Sequence, residues 1–370
     1  MFLPHKIGSL STVNILRQTN EGNHEKRLPP PRVSVIVVNW NRRDLLRACL
    51  ESLVAQTCPD LEVVVVDNGS SDGSADMAEA EFVGRLSLKV VRSPVNLGFC
   101  AGNNRGIEAS RGDLIALLNN DATAEPEWAA QLAPAFRRPE IGMAASKILV
   151  YEDPSRIDKA GHLIYPDGQN RGRGSGEVDR GQFDRMEEVL WPDGCAAMYR
   201  REMLDEIGGF DEDFFAYADD AELGLRARMA GWKCLYMPMA VVRHHRGSSL
   251  GVLSSRRLEL IERNRVLLVV KLFPWSLLCL NGAYWVARVL SGMWAGATGK
   301  GEVARFAGLT GKLRIMAAII KGNFSALPLI PRMFAKRRSL RRIRKLSPSE
   351  VRRLILDNRI SLRELSQQAT

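Results

Sequence analysis

What most constrains this chain is the kind of hydrophobic run it carries. Residues 33–40, 61–66, 88–91 and 114–118 are short, continuous runs rich in Val, Ile and Leu, without polar alternation. A strand that is apolar on both sides must be covered on both sides, and that is how parallel sheets are built. Segments with helical spacing separate the runs. Residues 42–56 place Leu45, Leu46, Cys49, Leu50, Leu53 and Val54 on one side. Another helix falls near 101–109, a third at 125–137 with Pro126 at an early position, and 141–150 reads as a fifth strand. The pattern predicts an α/β fold, an open and mostly parallel sheet with helices on both faces.

The remainder of the chain is less regular. Residues 151–188 hold many Gly, Asp and Arg with weak periodicity, which predicts a long loop or a small excursion. Residues 189–199 read as a strand, 201–207 as a helix closed by Gly208-Gly209, and 219–230 as a helix ended by Gly231. Strand character returns at 233–237 and 240–242. Residues 1–31 lack both periodicity and the apolar core of a signal peptide, so a flexible arm is expected there. The six cysteines form no CxxC pair, which excludes a zinc knuckle or disulfide framework and fits a reducing compartment. Charge divides the chain. Residues 251–370 carry 23 Lys/Arg against 6 Asp/Glu, net +17, whereas residues 1–250 carry 29 against 36, net −7. Three parts follow: the arm 1–31, a body 32–250 and a basic helical region 251–370.

Polar clusters stand in a fixed order: Asp67 to Ser74, Asn119-Asn120-Asp121, Asp219-Asp220 and His244-His245. The first two end apolar strands, and the carboxyl ends of parallel strands face the crevice where open α/β sheets bind ligands. Asp67 there could accept the imide N–H of a uracil or thymine ring. Asn119-Asn120-Asp121 offers hard oxygen donors suited to Mg²⁺ or Mn²⁺. Asp219 and Asp220 open a helix. Asp219, Glu222 and Arg226 share one face; Asp220 shares its face with Leu223 and Ala227, the side expected to turn inward. Asp220 is therefore the better candidate for a general base, kept charged by the helix N-terminus. His244 could complete a metal shell or touch a phosphate. Asn96 to Gly106 is a Gly/Asn-rich helix entry whose backbone amides suit an anion. Neither the GxGxxG fingerprint nor the GxxxxGK[ST] loop is present.

Together these residues resemble the family-2 inverting glycosyltransferases, in particular the rhamnosyltransferase-like members of bacterial surface-polysaccharide assembly. The matching string runs from Val33-Ser34-Val35-Ile36-Val37-Val38-Asn39-Trp40-Asn41 through Asp67 to Ser74, Asn96 to Gly106, Leu118 to Asp121, Gly208 to Phe215, Asp219 to Leu223, Arg226, Pro238, His244 and Arg263-Asn264. The resemblance implies a nucleotide-sugar-binding domain of the GT-A type. It places Asn39, Asp67, Asn96, Asn104, Asn120 and Asp121 at the nucleotide sugar, with Asp67 on the base and Asn120 near the ribose or diphosphate. It gives the metal, Mg²⁺ or Mn²⁺, to Asp121 and His244, and the role of base to Asp220. The implied reaction is a single in-line displacement with inversion. The donor it points to is dTDP-rhamnose, and the acceptor a lipid-linked or surface-polysaccharide saccharide. A UDP-hexose or galactofuranose transferase, or a non-catalytic sugar-nucleotide-binding scaffold, are the alternatives. Asn119-Asn120 stands where many relatives carry Asp, and Asp219-Asp220 replaces a Glu-Asp pair. The QxxRW motif of processive synthases is absent, which argues for adding one sugar or few.

Beyond residue 251 the segment 266–297 is rich in Leu, Val and Trp, but its uncharged stretch 272–287 has 16 residues, short of the roughly 20 that a spanning helix needs. Residues 332–345 hold eight Lys/Arg in fourteen. Phe334 is the one aromatic among them, too few to stack on bases, so nucleic acid is not expected. Arg337, Arg341 and Arg344 share a helical stripe that suits an anionic leaflet. The expectation is interfacial attachment, with the protein cytoplasmic and peripheral at the inner face of the cell membrane.

Overall fold

The structure, a computed structural model, describes residues 32–245, 254–299 and 308–367. The N-terminal arm and the 250/251 boundary lie outside the described residues. In chain order the body runs β1 (Val33–Asn39), α1 (Arg43–Val54), β2 (Leu61–Asn68), α2 (Ser74–Phe82), β3 (Ser87–Ser93), α3 (Gly98–Ala109), β4 (Leu114–Leu118), β5 (Ala122–Ala124), α4 (Trp128–Leu132), β6 (Ile141–Val150), β7 (Ile157–Lys159), β8 (His162–Ile164), β9 (Asn170–Gly172), β10 (Glu187–Val189), β11 (Ala196–Arg200), α5 (Arg201–Ile207), α6 (Asp219–Met229) and β12 (Lys233–His244). The C-terminal helices are α7 (Ser255–Leu272), α8 (Trp275–Leu278), α9 (Asn281–Ala297), α10 (Gly308–Ala326), α11 (Ile330–Ser339), α12 (Pro348–Asp357) and α13 (Leu362–Gln367).

The continuous apolar runs do form a parallel sheet. β3, β2, β1 and β4 lie side by side and parallel. β11 then pairs antiparallel with both β4 and β6, β12 continues parallel to β6, and β10 closes that edge. Both faces of the central strands are dry. Val33, Val35 and Val37 pack with Leu46, Leu50 and Leu53 of α1, while Ile36, Val64 and Val66 belong to the opposite core with Trp191 and Phe214. α3 lies close against β1 because Gly106 has no side chain; a Cβ there would stand 2.3 Å from Ile36 Cγ2.

Two stretches differ from the sequence expectation. Residues 189–199 are not one strand: β10 ends at Val189 and β11 begins at Ala196. Pro192 brings no N–H to a ladder, and Asp193 folds back to accept from the backbone N–H of Cys195. Residues 125–137 are shortened in the same way, α4 giving way to a 3-10 turn over Ala133–Arg137 that contains Pro134.

The C-terminal helices share the core of the body, and the described residues from 32 onward form one compact unit. Leu267, Leu268 and Phe273 are fully buried beside Leu223 and Leu225, so the start of the 266–297 segment is protein core, not membrane surface. Basic residues are also spent internally. Lys336 and Arg332 pair with Asp211 and Asp213, and Arg337 lies over the Trp275 ring at 5.0 Å while donating to Val270 O. Apolar surface remains on α9 and α10, where Trp294, Leu290 and Leu313 are each more than half exposed. The run Thr310–Arg342, 33 residues, is long and apolar enough to cross a membrane by length and composition, and 22% of its apolar window is buried. It is the candidate membrane-associating region.

Candidate active site

The strand ends place the polar clusters along one rim. In the β1/β2 register Asn39 stands beside Asp67. Asn39 is fully buried and accepts from Asn120 Nδ2 at 2.6 Å, so it anchors the loop after β4. Asp67 takes a backbone N–H from Ser70 on one oxygen, and its buried Oδ1 has no partner among the described residues. That open acceptor is what the N–H of a pyrimidine base would satisfy. Asn96 accepts from Asn68 and from the Gly98 backbone, fixing the entry to α3.

A cavity of about 890 Å³ opens over this rim. Asn96, Asn120, Asp121, Asp219, Asp220 and His244 line it, which brings together residues from four separated stretches of chain. Asn39 and Asp67 are set back from its wall. Asn104 does not line the cavity: its amide nitrogen donates to Phe210 O and Glu212 and its oxygen accepts from Phe210 N, so it staples the segment before α6 and has no N–H left over.

Around Asp121 the donors converge. His244 Nε2 lies 3.4 Å from Asp121 Oδ1, and its Nδ1 lies 2.8 Å from Asp158 Oδ2. Burial disfavours charge on His244, but Cys195 and the hydrogen bonds with Asp121 and Asp158 outweigh it and hold the imidazole well above its ordinary range. The two carboxylates lie on opposite sides of the ring, so Asp121 and His244 Nε2 are the oxygen/nitrogen pair that suits Mg²⁺ or Mn²⁺ while Asp158 orients the imidazole, and cation binding at Nε2 would release its proton.

α6 delivers Asp219 and Asp220. Its seat is tight: a Cβ on Gly224 would stand 2.2 Å from Trp191 Cβ. The face carrying Asp219, Glu222 and Arg226 is buried too, contrary to expectation. Glu222 is fully enclosed, bridged by Arg226 and by Lys271 from α7. Burial pushes the Asp220 carboxyl up, so desolvation outweighs the helix N-terminus that was expected to keep it low. Asp219 is driven up further by burial and by Asp220 beside it. Phe215, Tyr217 and Ala218, just before the helix, all have positive φ. Asn264 of α7 clamps them, its amide nitrogen 2.8 Å from Phe214 O, 2.8 Å from Ala216 O and 2.7 Å from Tyr217 O.

Asp220 has neighbours that sequence reasoning missed. His162 Nε2 is 3.3 Å from Asp220 and 2.8 Å from Asp193, and Lys159 Nζ is 2.6 Å from Asp193. The donor atoms of His162, Asp193 and Asp220 lie within 4.8 Å of one another, but the Lys159 ammonium already supplies positive charge there. Despite burial, Lys159 holds the Asp193 carboxyl well below its usual range. Asp158, Lys159 and His162 come from the stretch without periodicity, and Asp193 from the break read as strand; the Pro192-Asp193-Gly194 turn signal was the available clue.

Residues 34–208 match the model described as Glycosyl transferase family 2. An N-acetylglucosaminyl-diphospho-decaprenol L-rhamnosyltransferase of Mycobacterium tuberculosis is 27% identical over 242 residues, covering 59% of this chain and 77% of that protein. The O-antigen biosynthesis protein RfbC of Myxococcus xanthus is 30% identical over 228 residues, covering 59% of this chain but 18% of that protein. The chain thus spans less than a fifth of that relative's length, and it spans 25% of a Sinorhizobium fredii protein that is 28% identical. Among solved structures, the mannosyltransferase PcManGT from Pyrobaculum calidifontis, in complex with GDP-Man and Mn²⁺, superimposes with a TM-score of 0.51 at 20% identity, over 81% of this chain and 88% of that one. GalNAc-T7 with UDP, GalNAc and Mn²⁺ gives 0.54 at 17% identity, over 78% and 55%. The fold is therefore of the GT-A type.

Proposed function

We propose, starting from the family 2 glycosyl transferase domain that this chain carries over residues 34–208, that the protein is an inverting glycosyltransferase. It moves a sugar from a nucleoside diphosphate to a lipid-linked saccharide. The observation that carries this reading is the single cavity gathering Asp121, His244, Asp219 and Asp220 at the carboxyl end of the sheet. Rhamnose from dTDP-rhamnose is the donor proposed, on the motif resemblance and the name of the mycobacterial relative.

The open Asp67 oxygen receives the base N–H, and Asn96 and Asn120 flank the ribose and diphosphate. Asp121 and His244 would hold the cation, which when bound would neutralise charge on the departing diphosphate. The acceptor hydroxyl gives its proton to the Asp220 carboxylate as its oxygen bonds to the anomeric carbon. The bond from that carbon to the diphosphate oxygen breaks on the opposite side. A carboxyl raised by burial is a stronger base near neutral pH than an exposed one. His162, facing Asp220 at 3.3 Å, fixes its orientation.

The test is release of nucleoside diphosphate, with Mn²⁺ and a panel of nucleotide sugars, by the wild type and Asp220→Asn. The variant should lose about 10²-fold or more in turnover while binding nucleotide as before. Equal rates would remove Asp220 as base, and silence of the wild type with every donor would favour a binding scaffold.

A further inference from the structure

His162 does not hold Asp220 alone. Its Nε2 also meets Asp193 Oδ2 at 2.8 Å, and Lys159 Nζ reaches that same oxygen at 2.6 Å. Asp193 Oδ1 is fixed separately, by the backbone N–H of Cys195 at 2.9 Å. The four side chains come from β7, β8, the turn before β11 and the start of α6, and all of them line the cavity. Their seats are tight. A Cβ on Gly172 of β9 would stand 2.4 Å from Lys159 Cγ, and the His162 ring stacks beside Trp191 with centroids 6.0 Å apart. Among the described residues His162 Nδ1 has no hydrogen-bond partner.

We propose that Lys159 and Asp193 are positioning residues for Asp220, acting through the imidazole of His162; this rests on the transferase reading above, in which Asp220 takes the acceptor proton. Both neighbours of Nε2 are carboxylates and Nδ1 has none, so the ring carries its proton on Nε2 and donates it between them. The titratable groups around Asp220 are Asp219 on its own helix, His162 from β8, Asp193, Lys159 from β7 and Tyr199 from β11. Of these Lys159 is the permanent cation. It offsets the Asp193 charge, so the second carboxylate can orient His162 without making the charged form of Asp220 costlier. When Asp220 has taken its proton, Asp193 still accepts from Nε2, and the imidazole keeps its place. A cation seated among His162, Asp193 and Asp220 would have to expel this ammonium, so the arrangement suits a positioning device rather than a second metal centre.

The experiment follows the Asp220 carboxyl carbon by carbon NMR against pH in full-length protein, its signal assigned by its loss in Asp220→Asn. Lys159→Met strips the cation and leaves Asp193 charged, so the Asp220 midpoint should rise by about 1 pH unit or more. Asp193→Asn keeps the cation and removes the competing carboxylate, so the midpoint should fall by a comparable amount. Removing the pair together, Lys159→Met with Asp193→Asn, should return it near the wild type, and this neutral replacement keeps the test open if a single variant fails to fold. Midpoints that stay put, or that move the same way in both single variants, overturn the proposal; plain loosening would admit water and lower both. Nucleoside diphosphate release with Mn²⁺ reports separately on the transferase reading, since its acid limb should follow the same shifts. Opposite midpoint shifts with an unmoved acid limb would uphold the network and remove Asp220 as base.

Discussion

Asn264 connects two levels of this protein through one amide. It reaches three carbonyls in the loop that precedes α6, and that loop holds three non-glycine residues at positive φ. Such residues cost on the order of 1–3 kcal/mol each and persist only when surroundings impose them. Asn264→Ala removes the amide donor from Ala216 O and Tyr217 O, while Phe214 O keeps Arg263, so we expect a loss of about 1–3 kcal/mol in urea unfolding. Donor turnover should fall as well, because Asp219 and Asp220 follow directly. Normal turnover in a destabilised variant would limit the amide to a structural role. At this scale the convergence of Asp121, Asp220 and His244 on one cavity was legible because each sits at the end of a readable strand or the start of a readable helix. Lys159, His162 and Asp193 were not: they converge through tertiary folding of segments whose spacing carries no period. Asn104 misled for a related reason, since a Gly/Asn-rich helix entry does not disclose which amide is consumed by the neighbouring loop.

Among elements, α7 changes most between sequence and structure. Its Leu/Val run resembles a membrane-seeking segment by composition, yet periodicity cannot tell burial in protein from burial in lipid. The charges settle the matter locally: Lys271 reaches both Asp211 and Glu222. Burial alone would raise the Asp211 carboxyl, but Lys271 and Lys336 pull it down to about 2. A depressed carboxyl stabilises the fold above its unfolded value and gives that stability up as pH falls through the folded one. The window therefore lies between about pH 4 and pH 2, and the contribution is about 2 kcal/mol. Urea midpoints across that range should show this step in the wild type and lose it in Asp211→Asn; an unchanged step would place the titration elsewhere. The central strands, by contrast, were readable because continuous apolar runs have few alternatives in an α/β chain. The break at Pro192 shows the limit of that rule, where local turn chemistry overrides apolar composition.

Across the whole molecule, an acidic body and a basic tail are partly each other's partners. Charge asymmetry alone pointed to an anionic surface, whereas Lys336 and Arg332 are engaged with Asp211 and Asp213. What stays open to a membrane is apolar surface on α9 and α10 together with exposed basic residues such as Arg338, Arg341 and Arg344. Removing everything after residue 254 should thus yield aggregated or partly unfolded protein rather than a soluble enzyme, because Leu223, Leu225 and Glu222 lose their cover; a soluble, cooperatively melting fragment would contradict this. The clamp from α7 onto the loop before α6 also has a temporal meaning. During synthesis the nucleotide-binding strands leave the ribosome first and can pair at once. The Asp220 carboxylate cannot be set until a side chain more than forty positions later, Asn264, has emerged. On the role proposed for Asp220, donor binding by the strands would precede competence for transfer during synthesis.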